Sequence, residues 1–502
     1  MKDLKRIGIN MISGGAGYLI PMLVNIFSTP FVLNRLGAEA YGLLTLANVI
    51  IGYLIVADLG LDIPITQKIA EYYAKNDLGE KSKFLVATIK IYLVIGLTGM
   101  FFIFLFTNQF IALLAIPSTI TQEAKIVFYL AGFGFFGSII NMWGKAVFNG
   151  LHRYEIANGI NIFNNLFGIL FGVVLINLGY GVIGFFIARI AGFFLSNFAY
   201  IAFVLKHIIR FNLFPVFDRQ IWSKLKMQVG YGFVLRISGM IFSRMDQTLI
   251  GAWVTIAAVA TYSIPILIAT ALSGLIASVT HFAFPMASAM SVTNSVKGME
   301  SFFIKITKFV VVLSTVSFIP FIVLGDKFLL LWINQELASE SEVVLIMLLL
   351  AFYFNSSLSI GLNAFIVGIG QLKFFTFYSV TRGLVLFIGF LILIRFYGIN
   401  GAGVSYLISL IVDLIFVFYS LRRKLNLSVL FLIKQSYLKP CILGFILGTG
   451  LYFLRNEINT WSTLFAAFAA FAVFYLVLIL IFGVIDEKER AIVFTLIKRS
   501  RE

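Results

Sequence analysis

Residues 1–27 read "MKDLKRIGINMISGGAGYLIPMLVNIF", a basic head followed by an apolar run. Such a start fits either a cleaved secretory leader or the first of many membrane-spanning helices. The apolar part runs past 20 residues with no small-x-small cleavage site, so it is expected to stay as an uncleaved first span. The rest of the chain agrees. Of 502 residues, 60% are hydrophobic and only 12% charged, and mean hydropathy is +1.00. A soluble protein of this size needs roughly 25% charged residues to cover its surface. Most of this exterior must therefore face hydrocarbon.

Crossing ~30 Å of hydrocarbon takes about 20 residues of helix. Windows of that kind number about fourteen, from 12–33 through 229–250 and 259–283 to 440–454 and 461–483. The second window, 42–65, is broken by "DLGLDIP", and 440–454 is short. Long helical windows without short alternation exclude a β-barrel. Lys and Arg set the orientation. With the N-terminus inside, 29 of the 38 basic residues fall on the cytoplasmic face, five on the other, and four within spans. Both termini are expected in the cytoplasm. The same bias accounts for the formal charge of +16 as loops meeting anionic headgroups, with no nucleic acid as partner.

The chain also repeats. "NGLHRYEI" (149–156) laid over "IGQLKFFT" (369–376) aligns Gly150 with Gly370 and Arg153 with Lys373. "GVIG" at 181–184 matches "GING" at 398–401, and Tyr41 matches Tyr262. Offsets of 217–221 in one order predict two parallel six-helix bundles, residues 1–208 and 209–424, around a central cavity. Residues 425–502 add two helices and an amphipathic tail. The expected fold is all-α and integral to the membrane.

Polar residues inside the spans mark the candidate site. "RISGMIFSRMDQTLIG" (236–251) carries Arg236, Arg244, Asp246 and Gln247 on an arc of roughly 160°. Arg244 and Asp246 point about 160° apart on a helix, too far for an intrahelical salt bridge. Arg189, Arg382 and Asp413 are the other deep charges, and Asn25 and Asn48 add neutral polar groups. Four arginines against two acids leave surplus positive charge, which is costly in hydrocarbon unless an anion or water meets it. A fork of guanidinium nitrogens suits phosphate. Arg236, Arg244, Arg189 and Arg382 are thus candidate diphosphate ligands. Asp246 and Asp413 are candidate ion-coupling acids, and Asn25, Asn48 and Gln247 candidate cavity groups. The bland reading of each is an interhelical lock.

Enzyme signatures are absent. "GKA" at 144–146 lacks the glycine spacing and hydroxyl of a phosphate-binding loop. His152, His207 and His281 are scattered, Cys441 is the only cysteine, and no metal site or cofactor is expected. Any driving energy would come from a gradient, with Na+ or H+ as coupling ion. Without long external loops, a glycan polymerase or ligase is disfavoured.

Four stretches resemble the polysaccharide-transporter branch of the multidrug/oligosaccharidyl-lipid/polysaccharide exporter superfamily. They are "LNRLGAEAYGLLTLA", "ADLGLDIPITQKIAEYYAKND", "VFNGLHRYEIANGINI" and "RMDQTLIGAWVTIAAVATYSIP". The resemblance spans essentially the whole chain and implies a flippase. Its cargo would be an undecaprenyl-diphosphate-linked oligosaccharide, such as an O-antigen or other cell-envelope repeat unit, moved by alternating access. It implies a V-shaped pair of bundles, with Asp246 matching the acid of the seventh-span "D-x-x-L-I-G". Asn25, 221 residues earlier, is uncharged, which weakens a two-acid scheme. Expected partners are the lipid-linked oligosaccharide, membrane lipids, and polysaccharide polymerase and chain-length regulator proteins. A multidrug exporter of the same superfamily, whose cargo is usually cationic, is the alternative that surplus arginine should repel. A noncatalytic scaffold of a polysaccharide assembly complex is the other.

Overall fold

The computed structural model describes residues 2–75, 78–207, 239, 244–280, 296–333, 335–423 and 427–484. Among the described residues every regular element is helical, and twelve helical stretches are long and apolar enough to cross a membrane. One of them, Lys373–Arg423, holds 51 residues, which at ~1.5 Å each is more than twice the thickness of a bilayer core. Gly398 breaks it, with φ 56 and ψ −136, a backbone that only glycine adopts at little cost. The stretch therefore supplies two spans, at the "GING" turn that the sequence marks. The expected span 229–250 lies largely outside the described residues. The protein is an all-α, multi-pass membrane protein.

The chain order is α1 Lys2–Leu36, α2 Ala38–Leu54, α3 Asp62–Ala74, α4 Leu78–Leu113, α5 Thr121–Gly150, α6 Tyr154–Asn177 and α7 Gly181–His207. A helical segment at 244–253 leads to α8 Ile256–Thr280 and α9 Val296–Trp332. Next come α10 Gln335–Asn355, α11 Gly361–Gly368, α12 Leu372–Gly389 and α13 Arg395–Arg423. The last two are α14 Leu438–Phe453 and α15 Trp461–Ile481. Helix starts recur 218 residues apart at Ala38 and Ile256, and at Tyr154 and Leu372. Gly181 and Gly398, both left-handed, are 217 apart. The turn before α6 has His152 at φ 57, and the matching turn before α12 has Gly370 at φ 80. The backbone thus pairs Gly370 with His152, two residues from the alignment read off the letters.

The chain forms two compact units, Met1–Ile264 with Ser379–Ala402, and Pro265–Tyr378 with Gly403–Glu502. In the first, glycines let helices close on aromatic rings, as small residues do between membrane helices. A methyl on Gly99 would overlap Phe135, and one on Gly144 would overlap Tyr200. Asn197 Nδ2 donates to Gly137 O at 2.8 Å, and Trp143 Nε1 to Thr88 Oγ1 at 3.0 Å, so buried polar groups tie α5 to α7 and α4. The "DLGLDIP" break is a 3-10 turn, Ile55–Asp58, followed by left-handed Leu59 and Gly60. It ends the second span and sets α3 apart from it.

In the second unit, Phe303, Ile306, Phe365, Phe416 and Leu421 form a buried core. A π turn, Ser356–Ile360, joins α10 to α11. Such a turn leaves carbonyls without ladder partners, and the Tyr437 hydroxyl donates to Ser357 O at 2.9 Å. The thirteenth expected span, short at 440–454, is in fact 25 residues long, Val429–Phe453. Lys434, Gln435, Ser436 and Lys439 mask its first half in the hydropathy pattern, and a π turn at Ile433–Tyr437 carries the first three.

Candidate functional site

Five helical pieces of the first unit bring polar side chains together. Pro21 interrupts the amide ladder of α1. Asn25 Nδ2 donates to Pro21 O at 2.8 Å, and the Ser28 and Thr29 hydroxyls donate to Asn25 O at 3.1 and 2.7 Å. On α2, Asn48 Nδ2 donates to Leu44 O at 2.8 Å. Both asparagines keep partial exposure.

Tyr53, at the end of α2, fixes the 244–253 segment. Its hydroxyl donates to Arg244 O at 3.1 Å and shares a short hydrogen bond with the Thr248 hydroxyl. The Arg244 side chain lies flat against α2 because residue 52 is glycine; a methyl there would meet Arg244 Nε at 3.2 Å. Arg189, on α7, crosses Gly168 of α6, whose missing Cβ leaves room for the arginine stem at 3.4 Å. Arg189 lies within electrostatic range of Arg244 and of Tyr41. The Tyr41 hydroxyl in turn sits beside the Thr29 and Ser263 hydroxyls. Both guanidiniums are surrounded by protein on most sides yet partly exposed. Among the described residues, neither donates a hydrogen bond or forms an ion pair.

Asp246 is buried at 1% exposure. It accepts from the Tyr262 hydroxyl at 2.6 Å and from Gln247 N at 2.8 Å. As the helical wheel predicts, it makes no ion pair with Arg244, although the two sense each other's charge. Gln247 is buried, and its Oε1 has no hydrogen-bond partner. Arg236 lies outside the described residues. Arg382, on α12, is partly exposed.

Asp413 belongs to the other unit. Fully buried on α13, it accepts from Asn355 Nδ2 at 2.8 Å and from the Tyr378 hydroxyl. The structure therefore brings Arg189, Arg244 and Asp246 together with hydroxyls in one unit and sets Asp413 in a separate cluster. Tyr41, Tyr53, Thr248, Tyr262 and Tyr378 are site groups that sequence reasoning missed. Each pairs with a residue on another helix, so no local spacing points to them.

The model of a family described as polysaccharide biosynthesis protein matches residues 4–291, more than half the chain. The chain belongs to the polysaccharide biosynthesis protein family. This family member is 23% identical over 406 residues to a putative O-antigen transporter of Shigella flexneri, covering 79% of this chain and 93% of that protein. Its fold is similar to that of the lipid II flippase MurJ in an inward closed conformation. The TM-score is 0.76 at 15% identity, over 94% of this chain and 98% of that one. A multidrug resistance MATE family transporter of the MOP superfamily, inward-facing, matches with a TM-score of 0.67 at 16% identity. That match covers 86% of this chain and 99% of the other. The likeness to the polysaccharide-transporter branch of that superfamily, read from four stretches of sequence, holds.

Proposed function

We propose that this polysaccharide biosynthesis protein is a flippase, moving an undecaprenyl-diphosphate-linked oligosaccharide from the cytoplasmic to the outer leaflet of the bacterial inner membrane by alternating access. The observation that carries the reading is the pair of intramembrane guanidiniums, Arg189 and Arg244. Arg189 lies within electrostatic range of Arg244, and among the described residues neither donates a hydrogen bond. Two like charges in a low-dielectric setting repel, and desolvation adds several kcal/mol per ion. A dianionic diphosphate reverses both costs, and the Tyr41, Thr29 and Ser263 hydroxyls supply further donors beside it.

In this reading Arg189, Arg244, Arg236 and Arg382 serve the diphosphate, while Asn25, Asn48 and Gln247 meet the glycan. Alternating access would fall to the two six-helix bundles, 1–208 and 209–424, with 425–502 supplying two extra helices and a tail. Asp246 or Asp413 would couple flipping to Na+ or H+, and both termini face the cytoplasm. Polymerase and chain-length regulator proteins would act on the product. The test is a proteoliposome assay that follows a labelled diphosphate-linked glycan between leaflets. Transfer at the protein-free rate sinks the reading. Equal rates with and without an imposed proton or sodium gradient remove the coupling role alone.

A further inference from the structure

At one end of the first unit, three elements meet where spans begin: the C-terminal half of α3, the first turn of α4, and the turn between α5 and α6. The lysines there fall into two kinds. Lys68 and Lys75 both donate to Glu71, at 2.6 and 2.8 Å, and Lys83 donates to Glu80 at 3.0 Å. The Lys75 and Lys83 side chains are 65% and 64% exposed. Lys81 is the opposite. It is only 6% exposed, and among the described residues it forms no ion pair and donates no hydrogen bond. Among the described residues its one partner is the Tyr73 ring, 5.7 Å from Nζ.

A π face stabilises a cation by less than desolvating an ammonium costs. The charge is thus under-compensated at a fixed place. That place is the water–membrane boundary, since Lys81 is the third residue of the Gly79–Leu113 span and Tyr154 is the first of the Tyr154–Asn177 span. The surroundings supply neutral donors and cations. The Tyr73 ring stands edge-on to His152 at 6.5 Å, and His152 packs on Tyr154 at 6.4 Å. His152 itself is held at φ 57, where its repeat counterpart is glycine. This left-handed backbone disfavours a side-chain-bearing residue, yet it sets the exposed imidazole beside Tyr73 and leaves Arg153 next in line. The nearby acids Glu71 and Glu80 are already committed to Lys68, Lys75 and Lys83, while Glu155 opens α6.

We propose that Lys81, Tyr73 and His152 form an interfacial binding site for a lipid phosphate headgroup, separate from Arg189 and Arg244. The bound group is a phosphate ester anion, which the Lys81 ammonium meets directly and the Tyr73 hydroxyl and His152 imidazole flank. An anionic phospholipid of the bilayer and the diphosphate of a lipid-linked cargo share that chemistry.

Native mass spectrometry of the full-length protein, titrated with phosphatidylglycerol, tests it. Lys81→Met should weaken retention about tenfold, the size of a lost charge-assisted hydrogen bond. Lys81→Arg should keep it, and Lys83→Met should change it less than about twofold, because that amine is already paired. Tyr73→Leu, at an exposed position that tolerates change, should weaken retention about threefold and serves if Lys81→Met does not fold. Competition names the source: displacement by undecaprenyl diphosphate assigns the site to cargo, and its failure assigns it to bilayer lipid. Displacement by inorganic phosphate alone would mark a soluble-anion site and overturn the lipid assignment. Equal retention by wild type, Lys81→Met and Tyr73→Leu would overturn the site altogether.

Discussion

Replacing Arg244 with methionine separates a binding role from a structural one, because only the structural role costs stability. The side chain gives up no hydrogen bond and no ion pair among the described residues. The bond from the Tyr53 hydroxyl goes to the Arg244 carbonyl, which any residue provides. Methionine keeps the unbranched stem that lies along Gly52 and removes a charge whose repulsion of Arg189 is set against its attraction to Asp246. The melting temperature of the purified protein in detergent is therefore expected to stay level, a change within about 0.5 kcal/mol of neutral. Flipping is expected to fall. A guanidinium gripping phosphate contributes about 1.5–3 kcal/mol, so affinity for the diphosphate should drop roughly 10- to 150-fold. The assay pairs a thermal melt with cargo transfer in proteoliposomes, and Arg189→Met is expected to behave alike. If Arg244 instead locks helices as half of a buried ion pair, the substitution costs about 3–5 kcal/mol. A melting point lowered by several degrees with flipping intact would refute the reasoning.

Tyr262→Phe withdraws the hydroxyl that Asp246 accepts at 2.6 Å. It should cost about 1–3 kcal/mol of stability, read as a lower melting temperature. Gly42→Ala places a methyl 2.1 Å from Ile256 O, a backbone atom that cannot turn away; folded yield after purification should collapse. Gly159→Ala meets nothing within 4 Å on a helix, so its melting temperature should be unchanged or raised, by up to ~1 kcal/mol. Arg455 lies outside the spans, and Asp326 at 2.7 Å, with Glu342 at 3.5 Å, holds its guanidinium above the ordinary range. Stability from a raised cation is present below that range and lost only above it. Arg455→Gln should therefore lower the melting temperature by roughly 1 kcal/mol across neutral pH, with no loss approaching pH 10.

Letters alone gave away the spans, because burying backbone in hydrocarbon demands ~20 apolar residues in one continuous run, and that signal is local. The "GING" break and the recurrence of elements were legible for the same reason, since glycine at a left-handed turn leaves a mark in the sequence. The surplus of arginine over acid within apolar windows was legible too, and so was the failure of Arg244 to pair with Asp246, which follows from helical geometry. Other features depended on which helices touch. Tyr262 reaches Asp246 across 16 residues, and Tyr53 reaches Arg244 across 191, distances at which spacing carries no information. The early start of the span at Val429 hid behind lysines, and the likeness of the turns at His152 and Gly370 showed only in their backbone angles. Hydropathy and helical period are properties of neighbours in the chain and can be read there. Hydrogen-bond partners of a membrane-buried charge are neighbours in space, and only the packed helices decide them.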